Sequence, residues 1–114
     1  MVHNNLSGHT PSGFGKLQNL NYMEFPWNNF SGPFPSYLSY SPSLQLLNVS
    51  HNSFQGSLPL NIWSSPSLQI FSAVQGNSFS GSIPEDIFKC KMLLTISLSQ
   101  NELTGVIPPE LASL

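Results

Sequence analysis

Apolar residues come in short bursts along this chain, and the bursts recur. Leu44, Leu47 and Val49 run up to Asn52. Leu17, Leu20, Met23 and Phe25 run up to Asn28, and Leu93, Ile96 and Leu98 run up to Asn101. Within Leu47-Asn48-Val49 the period is two, so Leu47 and Val49 face inward and Asn48 faces out, as a short half-buried strand requires. Two residues behind each asparagine stands another apolar side chain: Leu6, Phe30, Phe54, Phe79 or Leu103. The pattern predicts a series of equivalent coils, each with one strand and one further inward anchor.

The polar landmarks keep the same register. In the motif Asn-x-(Leu/Phe)-x-Gly-x-x-Pro the asparagines are Asn4, Asn28, Asn52, Asn77 and Asn101. The glycines are Gly8, Gly32, Gly56, Gly81 and Gly105, and the prolines are Pro11, Pro35, Pro59, Pro84 and Pro108; all three series step by 24, 24, 25 and 24 residues. Such a period predicts a solenoid whose strands stack in parallel, about 4.8 Å apart, along one concave sheet. Each asparagine is expected to turn inward, where only an amide offers donors and an acceptor to the buried backbone of neighbouring coils. Gly is expected to relieve the bend, and Pro to stop the sheet.

One coil is longer. Pro42-Ser43-Leu44-Gln45 and Pro66-Ser67-Leu68-Gln69 are 24 apart, whereas Asn52 and Asn77 are 25 apart, so the extra residue falls between Ile70 and Gly76. A bulge or widened turn is expected there, or the junction of an old deletion.

Leu-x-x-Leu-x-Val-x-x-Asn is the leucine-rich repeat pattern, and tails such as Ser80-Gly81-Ser82-Ile83-Pro84 resemble its plant-type 24-residue subclass. The expected fold is an α/β-type leucine-rich repeat solenoid over residues 1–114. It would be a curved single-domain arc of about five repeats, made mostly of short parallel strands, turns and 3-10 segments. Only residues 1–3 precede Asn4, and 109–114 open a sixth repeat. No polar cap is visible at either end, which reads as a fragment of a longer solenoid, with Met1 an internal methionine.

Over essentially its whole length the chain resembles the ectodomain of a plant leucine-rich repeat receptor-like kinase. Leu58-Pro59-Leu60-Asn61-Ile62-Trp63 with Leu68-Gln69-Ile70-Phe71-Ser72-Ala73, and later Gln75-Gly76-Asn77-Ser78 and Leu98-Ser99-Gln100-Asn101, are similar to receptors related to the TDIF peptide receptor. The resemblance implies recognition of a secreted peptide on the concave face, with a co-receptor ectodomain as a further partner. It also implies a parent on the extracellular side of the plasma membrane with a Ser/Thr kinase domain that these residues do not contain. Family members that hold a peptide carboxylate with Arg-x-Arg have no counterpart here, because the chain has no Arg.

Composition narrows the function classes. Charged residues are 7% of the chain, with three Lys against five acids and a net charge of -2. A chain so poor in cations is unsuited to nucleic acid, whose phosphates demand a cationic cluster. No apolar run approaches the ~18 residues of a membrane span, and the start of the chain lacks the basic and apolar regions of a signal peptide. Cys90 is the only cysteine, which excludes an internal disulfide, and its place three residues before Leu93 predicts an inward small apolar group. His3, His9 and His51 fall in different repeats, so neither a metal site nor any cofactor is expected. Asp86, the only Asp, follows the Pro84 turn away from the strand face, so no catalytic residues and no enzymatic activity are expected.

The candidate binding residues are those expected to face out of the strands. They are Tyr22, Glu24 and Trp27, then Leu46, Asn48, Ser50 and His51, then Ile70 and Ser72, then Thr95, Ser97, Ser99 and Gln100. Tyr22 and Trp27 stand out because aromatics dominate binding hot spots. Sequons at Asn5-Leu6-Ser7, Asn29-Phe30-Ser31 and Asn48-Val49-Ser50 make Asn5, Asn29 and Asn48 glycosylation candidates. Two other readings remain open at this stage. One is a structural or non-functional repeat piece without a ligand of its own. The other is a secreted inhibitor, although such proteins carry cysteine-paired caps and a more charged face.

Overall fold

A computed structural model describes residues 2–34, 36–37, 41–58 and 61–109. Pro35 and Pro59 of the proline series, Leu60, and the sixth repeat from Glu110 onward lie outside them.

The strands form two parallel sheets rather than one. The first contains β2 (Tyr22–Glu24), β4 (Leu46–Asn48), β6 (Ile70–Ser72) and β8 (Thr95–Ser97), in that order. This is the expected strand of each coil, and its register puts Met23, Leu47, Phe71 and Ile96 in one inward row. Backbone bonds continue past the strands, from Phe25 N to Asn48 O at 3.1 Å, Val49 N to Ser72 O at 2.8 Å and Ala73 N to Ser97 O at 2.9 Å. Since parallel strands need a long connection, each coil is that connection.

The second sheet was not anticipated. It contains β1 (Ser7–Gly8), β3 (Asn29–Pro33), β5 (Ser53–Ser57), β7 (Ser78–Ser82) and β9 (Glu102–Thr104). The segment behind the asparagine, expected to bend, instead pairs with its neighbours before turning. The signal for it is a second stretch of period two, in which Ser53, Phe54 and Gln55 alternate out, in, out. The regular segments outside the sheets include 3-10 turns at Ser12–Lys16, Asn61–Ser64 and Glu85–Lys89. Glu85–Lys89 starts after Pro84, which suits a helix start, and directs Ile87 into the core.

Between the sheets runs a continuous core. Phe30, Phe54 and Phe79 are buried and stack in line, with centroids 6.5 and 6.3 Å apart and planes within 15° of parallel. Trp63 meets Phe71 edge to face at 5.2 Å. Each large apolar side chain so buried contributes about 1.5–3 kcal/mol. At the first coil Leu6 and Leu17, expected inward, are exposed.

The asparagines explain why the coils keep register. Asn52 Oδ1 accepts the Phe30 N–H at 3.1 Å, and its Nδ2 donates to the carbonyls of Phe25, Val49 and Ser50. Asn77 accepts from Phe54 N and donates to Val49 O; Asn101 accepts from Phe79 N and donates to Ala73 O. Every one of these amides reaches back to the preceding coil. Asn28 does so too, accepting from Leu6 N at 3.2 Å. Asn4 departs from the expectation: it is exposed, and its amide donates to Val2 O, two residues away. The ladder among the described residues therefore runs from Asn28 to Asn101.

The extra residue of the long coil is also located. Strand β6 pairs with both neighbours without a bulge, so the strand is not where it was inserted. It widens the following turn, where Gln75 (φ 54) and Gly76 (φ 76) are both left-handed and the His51 N–H reaches both Val74 O and Gln75 O. A Cβ on Gly76 would lie 3.2 Å from Asn52 O and from His51 Cα on a left-handed backbone, so any side chain there is strained.

Candidate functional site

The outward face of the first sheet gathers most of the candidate residues into rows. One row is Tyr22, Leu46, Ile70 and Thr95; the next is Glu24, Asn48, Ser72 and Ser97. Tyr22, Glu24 and Thr95 are exposed, and Leu46, Asn48, Ile70, Ser72 and Ser97 are half-buried by their own neighbours. Period-two alternation fixes this, since Met23, Leu47 and Phe71 occupy the inward positions between them.

Trp27, His51 and Gln100 are not strand residues as expected. They occupy the turn just after the strand, each immediately before the ladder asparagine, and each is left-handed, with φ of 58, 54 and 58°. His3 occupies the same position at φ 53. The left-handed residue is what swings the next side chain, the asparagine, into the coil. For a bulky residue this conformation costs about 1–2 kcal/mol. Here the cost is offset by stacking along the rim: Trp27 lies on His51 with centroids 3.5 Å apart and planes 10° from parallel, and on His3 at 5.3 Å and 13°. The three rings make a rigid aromatic edge to the sheet, with Trp27 still 48% exposed.

Ser50, expected to face out, is buried. Its hydroxyl lies 2.9 Å from the Ser72 hydroxyl and accepts the Val74 N–H at 3.0 Å, so it closes the long turn instead of facing a ligand. Ser99 is exposed. Sequence reasoning missed Val74 and Gln75, which continue the rim in the long coil; the inserted residue hid their equivalence to Ser50 and His51.

Electrostatically the face is quiet. Among the described residues Glu24 is its single formal charge, and Lys16, Lys89 and Lys91 lie in or beside the 3-10 turns. Asp86 pairs with Lys89 at 3.2 Å on that same side, at an exposed i,i+3 spacing. No cluster of three or more His, Cys, Asp or Glu that could hold a metal occurs among the described residues. Cys90 is inward as expected, its thiol 3.4 Å from Leu68 O, and burial pushes its pKa up, partly countered by a hydrogen bond with the Leu93 backbone. No helix among the described residues is long and apolar enough to cross a membrane.

A face of this kind, open and built from short outward side chains with an aromatic rim, can bind an extended chain or another protein surface. The profile of the Leucine Rich Repeat family matches residues 43–65 and 92–114. Among curated proteins none matches the chain. Solved structures do. In the BIR3–SERK2 complex from Arabidopsis thaliana one chain is 32% identical with a TM-score of 0.92, over 99% of this chain and 60% of that one. The Arabidopsis receptor kinase HAESA ectodomain, solved with an N-terminally extended IDA peptide hormone ligand, is 40% identical with a TM-score of 0.88, over 96% of this chain and 18% of that one. A TDR receptor is 41% identical with a TM-score of 0.75, over 97% of this chain and 23% of its own. The chain thus spans less than two thirds of each of these structures.

Proposed function

Because this chain is a run of leucine-rich repeats stacked as in plant receptor-kinase ectodomains, we propose that it is a recognition surface. It would bind a secreted peptide or a co-receptor ectodomain across the outward face of β2, β4, β6 and β8. The observation that carries this reading is the continuity of that face: two outward rows run across β2, β4, β6 and β8, and a stacked aromatic rim of His3, Trp27 and His51 runs beside them. Two of the similar structures hold a peptide hormone or a protein partner, which supports the same class of ligand here.

The energetics suit such a role. An extended ligand lying across the strands meets one outward side chain per row in every coil, so its contacts repeat with the coil spacing. Tyr22 and Trp27 supply rigid apolar area at small entropic cost, and aromatics of that kind carry a disproportionate share of binding energy. The low charge of the face leaves shape and hydrogen bonding to set specificity. By the same resemblance the parent would be displayed outside the cell, with the kinase domain across the membrane.

Calorimetric titration of the parent ectodomain with a panel of synthetic secreted-type peptides tests this. Tyr22→Ala and Trp27→Ala should each weaken a bound peptide by about tenfold, near 1.4 kcal/mol. Gln55→Ala, on the second sheet, should change nothing. Equal affinity for all four proteins would remove the first sheet as the binding face.

A further inference from the structure

The three sequons are not equivalent in the fold. Asn29 is exposed at the start of β3, and its register partner on one side is Ser7. Ser53, on the other side, donates its hydroxyl to Asn29 Oδ1 at 3.3 Å. Both neighbours are short, so the amide nitrogen has open space above it. Asn5 holds the equivalent place one coil earlier, 24 residues upstream, and is also exposed. In the later coils that place is taken by Ser53, Ser78 and Glu102, so the acceptors are confined to the first two coils, Asn29 in β3 and Asn5 two residues before β1.

Asn48 lies in the middle of the first sheet, between Glu24 and Ser72. It is half-buried, and its Oδ1 accepts the Ser50 N–H at 3.1 Å, which draws the side chain along the strand. Neighbouring strands are about 4.8 Å apart, narrower than a sugar ring, so a glycan on Asn48 Nδ2 would override the flanking side chains. Ser50, which completes this sequon, is itself buried and tied to Ser72 and Val74.

We propose that Asn5 and Asn29 carry N-linked glycans, aligned on the second sheet, and that Asn48 stays bare in the folded protein. This rests on the extracellular placement argued above. The donor is a lipid-diphosphate-linked oligosaccharide. A bond forms between the Asn Nδ2 and C1 of the first sugar as the C1–O bond to the diphosphate breaks. The diphosphate leaves with the electron pair, and the amide gives up one proton. Transfer meets the chain before it folds, so the fold acts afterwards: chains modified at Asn48 lose the register of the first sheet and drop out of the secreted pool. The glycans then shield one end of the second sheet and leave the first sheet open.

The full chain, secreted behind an added leader from cultured plant cells, provides the test. Enzymatic glycan release in heavy-oxygen water marks each formerly occupied Asn as labelled Asp, read by peptide mass spectrometry. Label at Asn5 and Asn29 and its absence at Asn48 are expected. N29Q and S31A should each remove the mass of one glycan, and N48Q none; S31A serves if N29Q fails to be secreted. Label at Asn48, or none at Asn5 or Asn29, overturns the proposal. The added leader supplies entry to the pathway, so site choice is read independently of whether the parent is a receptor.

Discussion

Replacing Asn52 by Leu isolates what the amide ladder is worth, because the two side chains are similar in size and only the polar atoms are lost. The Phe30 N–H would lose its buried acceptor. The three carbonyls that Asn52 serves fare better. Phe25 O keeps the Asn28 amide, Val49 O keeps the Asn77 amide, and Ser50 O keeps the Trp27 N–H. One fully orphaned buried donor costs about 1–3 kcal/mol, and weakened carbonyls add up to about 1 more, so a loss of about 1–4 kcal/mol is expected. Asn28→Leu orphans an exposed group, Leu6 N, which water can satisfy, and should cost about 1 kcal/mol or less. Asn4→Leu should be near neutral. Urea unfolding followed by circular dichroism reads all three. Solenoids lose cooperativity when one interface weakens, so a broadened transition for Asn52→Leu also fits. Equal midpoints for Asn52→Leu and Asn4→Leu would refute the account of the ladder as the register-keeping element.

Gly76→Ala should destabilise by about 1–2 kcal/mol through its left-handed backbone, with more from the contact to Asn52 O and His51 Cα. Gly13→Ala, with open space around it, should be tolerated, and comparison of the two melting curves decides. Cys90 should resist iodoacetamide in the folded chain and react once unfolded. Labelling at the rate of an unfolded thiol would contradict its burial. Its pKa is raised on folding by desolvation, so the folded state holds the proton longer than the unfolded one. Stability attributable to it should therefore fall as pH rises past the free thiol pKa of about 8.5. Cys90→Ala should flatten that alkaline decline in a pH series of unfolding curves.

Much of this molecule was legible before any coordinates. The 24-residue step, the inward apolar rows and the amide ladder from Asn28 to Asn101 depend on residue identity at fixed spacing, and identity is what a sequence records. Strand alternation likewise placed Tyr22, Glu24, Leu46, Asn48, Ile70 and Ser72 on one face. These features follow from side-chain period and hydrogen-bonding capacity, which are local properties.

What only the tertiary structure decided depends on neighbours from other coils. Whether the segment behind each asparagine bends or pairs turns on backbone groups of the next coil, and they pair, giving the second sheet. Ser50 is buried because its hydroxyl is tied to the Ser72 hydroxyl and the Val74 N–H, both supplied by the next coil. The stacking of His3, Trp27 and His51 needs a left-handed backbone that no propensity favours for such residues, and it is held by contacts between coils. Asn4 and Asn28 share a motif but not an environment: Asn28 accepts from Leu6 N of the neighbouring coil, whereas the Asn4 amide donates to Val2 O within its own turn.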